Sequence, residues 1–340
     1  MKSGERLRQR IIAAGVVLVA AFAGSAIYDG WRLHQQIMLA NERELGNLAK
    51  ALAEQGARTL QAVDVLLRDT GEWWETTGRD LPADAVATAL ASRVVGVSQV
   101  SVLTLVDARG MQRHRSRVTG EALADVSDRP YFQSQRERSA GGLFINEPVV
   151  TRTERLPALV VSRRLNTQDG AFDGVVTAIV TLQEIQAAYT AIDLGEGGAL
   201  ILTLDDGTLV VRQPEVSGLD PNQRYPELTA FKGAPLIDRS VSPVDGRAKL
   251  IAAVGVGKRP LTLTLTRDED HALRPWHDEM RSAIIRTLLL TALVVLTIAG
   301  LLRQLRRLEA GEAEKAALEA RLQKAQRLES LGTLAGGIAH

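Results

Sequence analysis

The sequence predicts an α+β protein: two tandem modules of antiparallel sheet and helix behind a long N-terminal helix, set between two transmembrane helices and followed by a C-terminal coiled-coil helix. Three observations lead there. Two apolar runs, at 11–28 and 282–302, are each long enough to cross a bilayer. Between them a helical hydrophobic period gives way to β-branched runs broken by Asp/Gly turns. That β pattern occurs twice, each time as strand, turn and returning strand, which suggests two related modules.

The first run, Ile11 to Tyr28, is uncharged and at 1.5 Å per residue reaches roughly 27 Å, close to the hydrocarbon thickness of a bilayer. Lys2, Arg6, Arg8 and Arg10 precede it in the short segment 1–10, with only Glu5 opposing. A cleaved signal peptide has the same layout, and Ala21, Ala23, Gly24 and Ser25 offer a cleavage-like stretch. The run is long for a signal peptide, so a retained anchor is favoured. The second run, Ser282 to Leu302, holds one charge, Arg286, within reach of the interface by snorkelling. Arg303, Arg306 and Arg307 follow it. Basic residues before the first span and after the second put both termini in the cytoplasm of a bacterial inner membrane and 29–281 outside it.

Behind the first span, Leu33, Ile37, Leu39, Leu45, Leu48, Leu52, Leu60, Val63 and Leu66 recur at roughly helical intervals up to about Arg68 with no intervening proline. This long helix is expected to be a mechanical element and the surface of a homodimer. Strands are then expected at Gln99–Val106, Leu143–Thr151, Pro157–Leu165 and Gly174–Thr181, and a helix near Leu182–Ile192. The pattern restarts at Gly198–Leu204, turns at Asp205-Asp-Gly207, and continues through Thr208–Arg212, Lys249–Val256 and Leu261–Thr266. The membrane-distal module is placed at about 70–192 and the proximal one at about 193–270.

Composition excludes several chemistries. The 340 residues contain no cysteine, which removes disulfides, thiol catalysis and Cys-based metal sites. The formal charge is +1, so nothing argues for a nucleic-acid partner. His271 and His277 flank Pro275 and do not share a helical face, while His34 and His114 are isolated, so no metal site is expected. Ala252-Ala-Val-Gly-Val-Gly-Lys258 lacks the first glycine and the Ser/Thr of a phosphate-binding loop.

Several blocks, in order, resemble the double Cache (PAS-like) sensor domains: Asp125-Val-Ser-Asp-Arg-Pro-Tyr-Phe132, Phe144-Ile-Asn-Glu-Pro-Val149, Val161-Ser-Arg-Arg-Leu165, Asp169-Gly-x-Phe-x-Gly-Val175 and Asp205-Asp-Gly-Thr-Leu209. The resemblance spans about Trp31 to His277. It implies a distal module that binds a small molecule and a proximal module that usually does not.

By that resemblance the distal pocket is lined near Arg129, Tyr131 and Phe132. A guanidinium presents a planar fork suited to a carboxylate, and the two aromatics could form a wall with one polar handle. From the residues alone, Arg129 could equally be salt-bridged to Asp125 or Asp128. Relatives that bind amino acids place an aspartate on the strand after the Gly-Val pair. Ile179 stands at that position, and no acid lies between Val175 and Leu182. A small organic acid without an ammonium group is therefore the favoured ligand. Arg152, Arg155, Arg163 and Arg164 form a second basic set, expected as solvated charges; 163 and 164 point to opposite faces of a strand.

Beyond the second span, Leu301, Leu305, Leu308, Leu318, Leu322, Ala325, Leu328 and Leu331 suggest a coiled coil over 303–326 with slips in register. The segment 327–340, Arg327-Leu-Glu-Ser-Leu-Gly-Thr-Leu-Ala-Gly-Gly-Ile-Ala-His340, resembles the start of the dimerisation and phosphoacceptor helix of sensor histidine kinases. That resemblance makes His340 the phosphoacceptor, ATP with Mg the phosphoryl source in a catalytic domain not contained in this sequence, and a response regulator the recipient. The sequence stops in mid-helix, which reads as a truncation. A receptor of another output class, such as a chemoreceptor or a cyclic-dinucleotide signalling protein, is the alternative.

Overall fold

The computed structural model describes residues 2–117, 122–137, 142–153, 155–190, 192–216, 219, 221–225, 236–242 and 245–338. It divides into two compact units, one of Met38–Leu273 and one of the residues up to Ile37 together with those from Arg274 onward.

Helix α1 runs unbroken over Lys2–Thr76. The first proline of the sequence is Pro82, so nothing before it removes a backbone donor. A 3-10 turn at Gly78–Asp80 ends the run, and α2 (Ala83–Val94) follows. The distal sheet then forms from β1 (Val102–Asp107), β2 (Gln112–Arg115), β3 (Phe144–Ile145), β4 (Val149–Val150), β5 (Pro157–Asn166) and β6 (Phe172–Thr181). Its order is β2-β1-β6-β5-β3, with β4 also on β5, and every pairing is antiparallel. Helix α3 (Pro130–Glu137) lies between β2 and β3 in sequence.

Helix α4 (Leu182–Tyr189) leads onward. It opens with a capping box in which Thr181 accepts from the Glu184 backbone and Glu184 accepts from that of Thr181. The proximal sheet contains β7 (Ala199–Leu204), β8 (Leu209–Gln213), β9 (Leu236–Val241), β10 (Ala248–Gly255) and β11 (Leu261–Asp268), in the order β8-β7-β11-β10-β9. In both sheets an opening hairpin is completed by the module's last strand pairing with its first, so the two modules share one topology. This is the tandem α+β architecture expected from the repeated strand-turn-strand pattern.

Two details differ from expectation. The single strand expected over Leu143–Thr151 is split into β3 and β4, because Pro148 has no N–H to offer the ladder. Strand β9 and helices α2 and α3 were not anticipated. Helix α2 buries only Val86 and Leu90, too thin a stripe to register as a period.

The membrane unit contains the N-terminal part of α1 and helix α6 (Arg274–Ile338), preceded by the short α5 (Glu269–Ala272) of the outer unit. Both long helices have segments long and apolar enough to cross a membrane. Val16, Val17, Leu288 and Leu289 are more than 60% exposed, as lipid-facing side chains are. The spans meet at small residues: a Cβ on Gly15 would overlap Ile298, one on Gly30 would overlap Met280, and Trp276 Nε1 donates to the Gly30 carbonyl at 2.8 Å. Arg286 pairs with Glu279 at 2.6 Å. The chain is a two-span inner-membrane protein with its α+β unit outside and both ends in the cytoplasm. Helix α6 continues without a break from the second span to Ile338; His340 lies outside the described residues.

Candidate functional site

Strands β5 and β6 are buried on both faces, and alternation decides which side chain goes where. Val160, Thr177 and Ile179 face one way, towards a cleft closed by the start of α3, by β4 and by the segment after it. Leu159, Val161 and Val180 face the other way.

Arg129 stands just ahead of α3, whose first residue is Pro130, where a missing N–H costs nothing. The Arg129 carbonyl accepts from the Phe132 and Gln133 backbone at 3.0 Å, which fixes the entry to the helix. Its side chain lines the cleft with Tyr131, Val149, Val150, Arg152 and Ile179. The guanidinium donates to the Val150 carbonyl at 3.4 Å, a long contact. Among the described residues no carboxylate forms an ion pair with it. Asp128 is instead taken by Arg152 at 2.6 Å, and Arg152 also donates to the Asp125 carbonyl. The Arg152 hydrogen bond holds the Asp128 carboxyl below its usual range. The Asp125 carboxyl is lowered first by the Ser127 backbone.

Tyr131 is 7% exposed and lines the cleft, and its carbonyl accepts from Ser162 Oγ at 3.0 Å. Phe132 is fully buried and does not line the cleft. It lies in the distal core with Val102, Val126, Val160 and Val175, edge-on to Phe172 with ring centroids 5.5 Å apart. Adjacent helical positions point about 100° apart; Tyr131 belongs to the same core cluster and also reaches the cleft, while Phe132 does not.

Of the four arginines expected as solvated charges, Arg152 and Arg155 are exposed, whereas Arg163 and Arg164 are half-buried. Besides Arg152, Arg163 binds Asp64 on α1 at 2.6 Å, and Arg164 donates to Asn166 and to the Gln135 carbonyl while lying over the Phe172 ring. As the strand period requires, 163 and 164 leave β5 on opposite faces. Neither lines the cleft. The sequence reading missed Gln112, Thr151, Thr153 and Thr177, which complete the lining. Thr153 donates to Gln112 Oε1 at 3.2 Å. Thr177 was findable, being two residues before Ile179 on one strand; Gln112 comes from the edge strand β2 and Thr151 and Thr153 from the segment after β4, which carry no local signal.

The cleft is thus polar at its rim, holds two arginines and no acid among its lining residues, and has Ile179 where an ammonium partner would stand. Its cavity is small, about 20 Å³, room for little more than one water.

The chain is 32% identical to the extracellular domain of rpHK1S-Z16, a protein assigned as a histidine kinase, with a TM-score of 0.63, covering 70% of this chain and 99% of that one. It also resembles the ligand-binding domain of the Pseudomonas fluorescens chemoreceptor CtaA in complex with L-isoleucine, at 20% identity, TM-score 0.54, and coverage of 71% and 98%. The periplasmic sensory domain of the Campylobacter jejuni chemoreceptor Tlp1 matches at 15% identity, TM-score 0.55, and coverage of 70% and 99%. The last two likenesses show the fold alone. No protein-family model matches the chain, and no curated protein does. By its near-complete coverage of the rpHK1S-Z16 domain, the chain belongs to the family of double Cache, PAS-like extracytoplasmic sensor modules flanked by membrane-spanning helices, which histidine kinases and chemoreceptors share.

Proposed function

We propose that this protein is a transmembrane receptor that binds a small organic acid in the Arg129 cleft of its distal module and transmits occupancy through its membrane helices. The observation that carries this reading is the guanidinium of Arg129: it lines the cleft, lacks an ion pair among the described residues, and has no acid beside it in the lining. A carboxylate would supply the missing counter-charge in bidentate geometry. CtaA is named in complex with L-isoleucine; here an ammonium group would meet Ile179, which favours a carboxylate alone. The small cavity means the cleft must open to admit a ligand.

For the output, the resemblance of 327–340 to a phosphoacceptor helix and the likeness to the rpHK1S-Z16 domain support a histidine kinase. In that reading a homodimer presents His340 to ATP–Mg held by a catalytic domain, and the phosphoryl group passes to a response regulator. A chemoreceptor or other output is the second reading, favoured by the breadth of chemoreceptor domains that share the fold.

The test is calorimetric titration of the chain in nanodiscs with small carboxylates and amino acids, beside Arg129→Ala and Arg129→Lys. One carboxylate should bind saturably, bind at least tenfold more weakly to Arg129→Lys, and fail to bind Arg129→Ala. Equal binding by wild type and Arg129→Ala would refute the site. Phosphoryl transfer to the wild-type chain but not to His340→Gln, in the presence of a kinase catalytic domain and ATP–Mg, separates the two outputs.

A further inference from the structure

A second cavity lies on the opposite face of β5 and β6 from the Arg129 cleft, where the distal sheet, α1, α4 and the proximal sheet meet inside the outer unit. Its volume is about 110 Å³. Val63, Val161, Val180, Leu202 and Leu261, each no more than 7% exposed, form its walls. Close-packed interiors hold few voids larger than a water, and an apolar cavity of about 150 Å³ is known to stay dry and to take up benzene. This cavity is of similar size, with the exposed Gln55 and Gln99 at its opening to solvent.

Gln55, Thr59 and Gln99 also line it, and one further polar residue combines deep burial with a place in its wall. Tyr189, at the end of α4, is 9% exposed and lines the cavity. Among the described residues its hydroxyl has no hydrogen bond. Burial raises its pKa, so it is a neutral phenol at physiological pH. Gly56 lies beside it: a Cβ there would stand in ordinary contact with Tyr189 Oη, at 3.6 Å, and closer to Val256 Cγ1, at 3.3 Å. A ligand oxygen would pair with it in place of water. Glu184 is the one acid in the lining. Its carboxylate is fixed by Ser101 Oγ at 2.7 Å and the Thr181 backbone at 3.2 Å. No arginine or lysine lines the cavity, so an anion would meet an uncompensated negative charge.

We propose that this cavity is a second ligand site, which takes a neutral, benzene-sized molecule bearing one hydrogen-bonding oxygen that pairs with the Tyr189 hydroxyl. Its walls come from both modules and from α1, so an occupant contacts the elements that a signal from the distal cleft would have to cross. The site is independent of the Arg129 reading.

The test is fluorine NMR of 4-fluorophenol and 4-fluorotoluene added to the full chain in nanodiscs, with empty nanodiscs as the reference for partition into lipid. Saturable broadening by the chain is expected for both probes. Tyr189→Phe should weaken 4-fluorophenol about tenfold, the scale of one hydrogen bond, and leave 4-fluorotoluene unchanged. Ala188→Phe, at an exposed position in the lining, should block both. Arg129→Ala should leave both unaffected, and 4-fluorobenzoate should not bind the Arg129→Ala chain. Non-saturable broadening, or broadening that survives Ala188→Phe, would overturn the site. An unchanged 4-fluorophenol affinity in Tyr189→Phe would overturn the assigned contact.

Discussion

Asp64→Ala should loosen the joint between the two modules. Asp64 lies on α1 beside the fully buried Val63 and Leu67, and its own side chain is 13% exposed. One oxygen accepts from Arg163 Nε of β5 at 2.6 Å, and the other from the Arg259 guanidinium in the β10–β11 turn at 2.9 Å. A single carboxylate thus joins the helix, the distal sheet and the proximal sheet. Burial pushes its pKa up, but hydrogen bonds and charge from the two arginines outweigh burial and hold it below the usual carboxylate range. Hydrogen bonds to charged groups contribute about 1.5–3 kcal/mol each. The arginines are 25% and 28% exposed and can turn to water, so the low end applies and the pair contributes about 3 kcal/mol. For a unit the size of Met38–Leu273 this lowers the unfolding midpoint by about 6–12 °C. The assay is thermal unfolding by circular dichroism in nanodiscs. The control is Asp69→Ala, whose carboxylate is 62% exposed in its pair with Arg93 and which should move the midpoint by only about 1–2 °C. The sign of the pH dependence follows from the lowered pKa: Asp64 contributes fully above its unfolded value of 3.8, and the contribution fades as pH falls through the folded value. The gap between wild type and Asp64→Ala should therefore close below about pH 3.8. An Asp64→Ala midpoint within the range of the control would refute the reasoning.

Gly174→Ala should destabilise the distal module by at least about 2 kcal/mol. Residue 174 has φ +129° and its Cβ would lie 2.0 Å from the Val106 carbonyl oxygen on the paired strand, where no flexible side chain can give way; an unchanged denaturant midpoint would contradict this. Phe132→Ala should cost about 3–5 kcal/mol, because the ring is fully buried against Phe172, whereas Arg129→Ala should leave stability nearly unchanged; comparing their urea midpoints separates a core residue from a cleft residue.

The spans, the paired sheets and their order were legible because each rests on a pattern repeated over many residues: apolar length, basic flanks, and strands of alternating or continuous burial. Arg129 and Tyr131 were legible through their block, and Ile179 through its place on β6. What escaped depended on long-range partners. Nothing local distinguishes Phe132 from Tyr131 until α3 forms and sets them on different faces. Asp64 reads as one polar position among many on a long helix; its two arginines arrive from residues 163 and 259. The Tyr189 cavity belongs to both modules, and no single segment announces it.

The two faces of β5 and β6 set limits on how the distal cleft can respond to a ligand. The strands are fixed to one another by a register running from Ala158 opposite Thr181 to Arg164 opposite Val175. Shifting that ladder would break many backbone bonds at once. The opposite wall of the cleft is held differently. Among the described residues strand β4 pairs with β5 through Val149 and Val150, Thr151 N donates to the Leu156 carbonyl at 3.0 Å, Thr153 reaches Gln112 at 3.2 Å, Arg152 reaches Asp128 across an exposed ion pair, and Arg129 meets the Val150 carbonyl at 3.4 Å. Exposed pairs contribute little to stability, so the cleft opens most readily by moving β4 and the Arg152 contact while the sheet stays in place. A ligand carboxylate that takes Arg129 replaces the contact to Val150 and so favours the opened state. It can bias the receptor only by the difference in its affinity for the two states, and its apparent affinity is reduced by the fraction of molecules in which the cleft stands open.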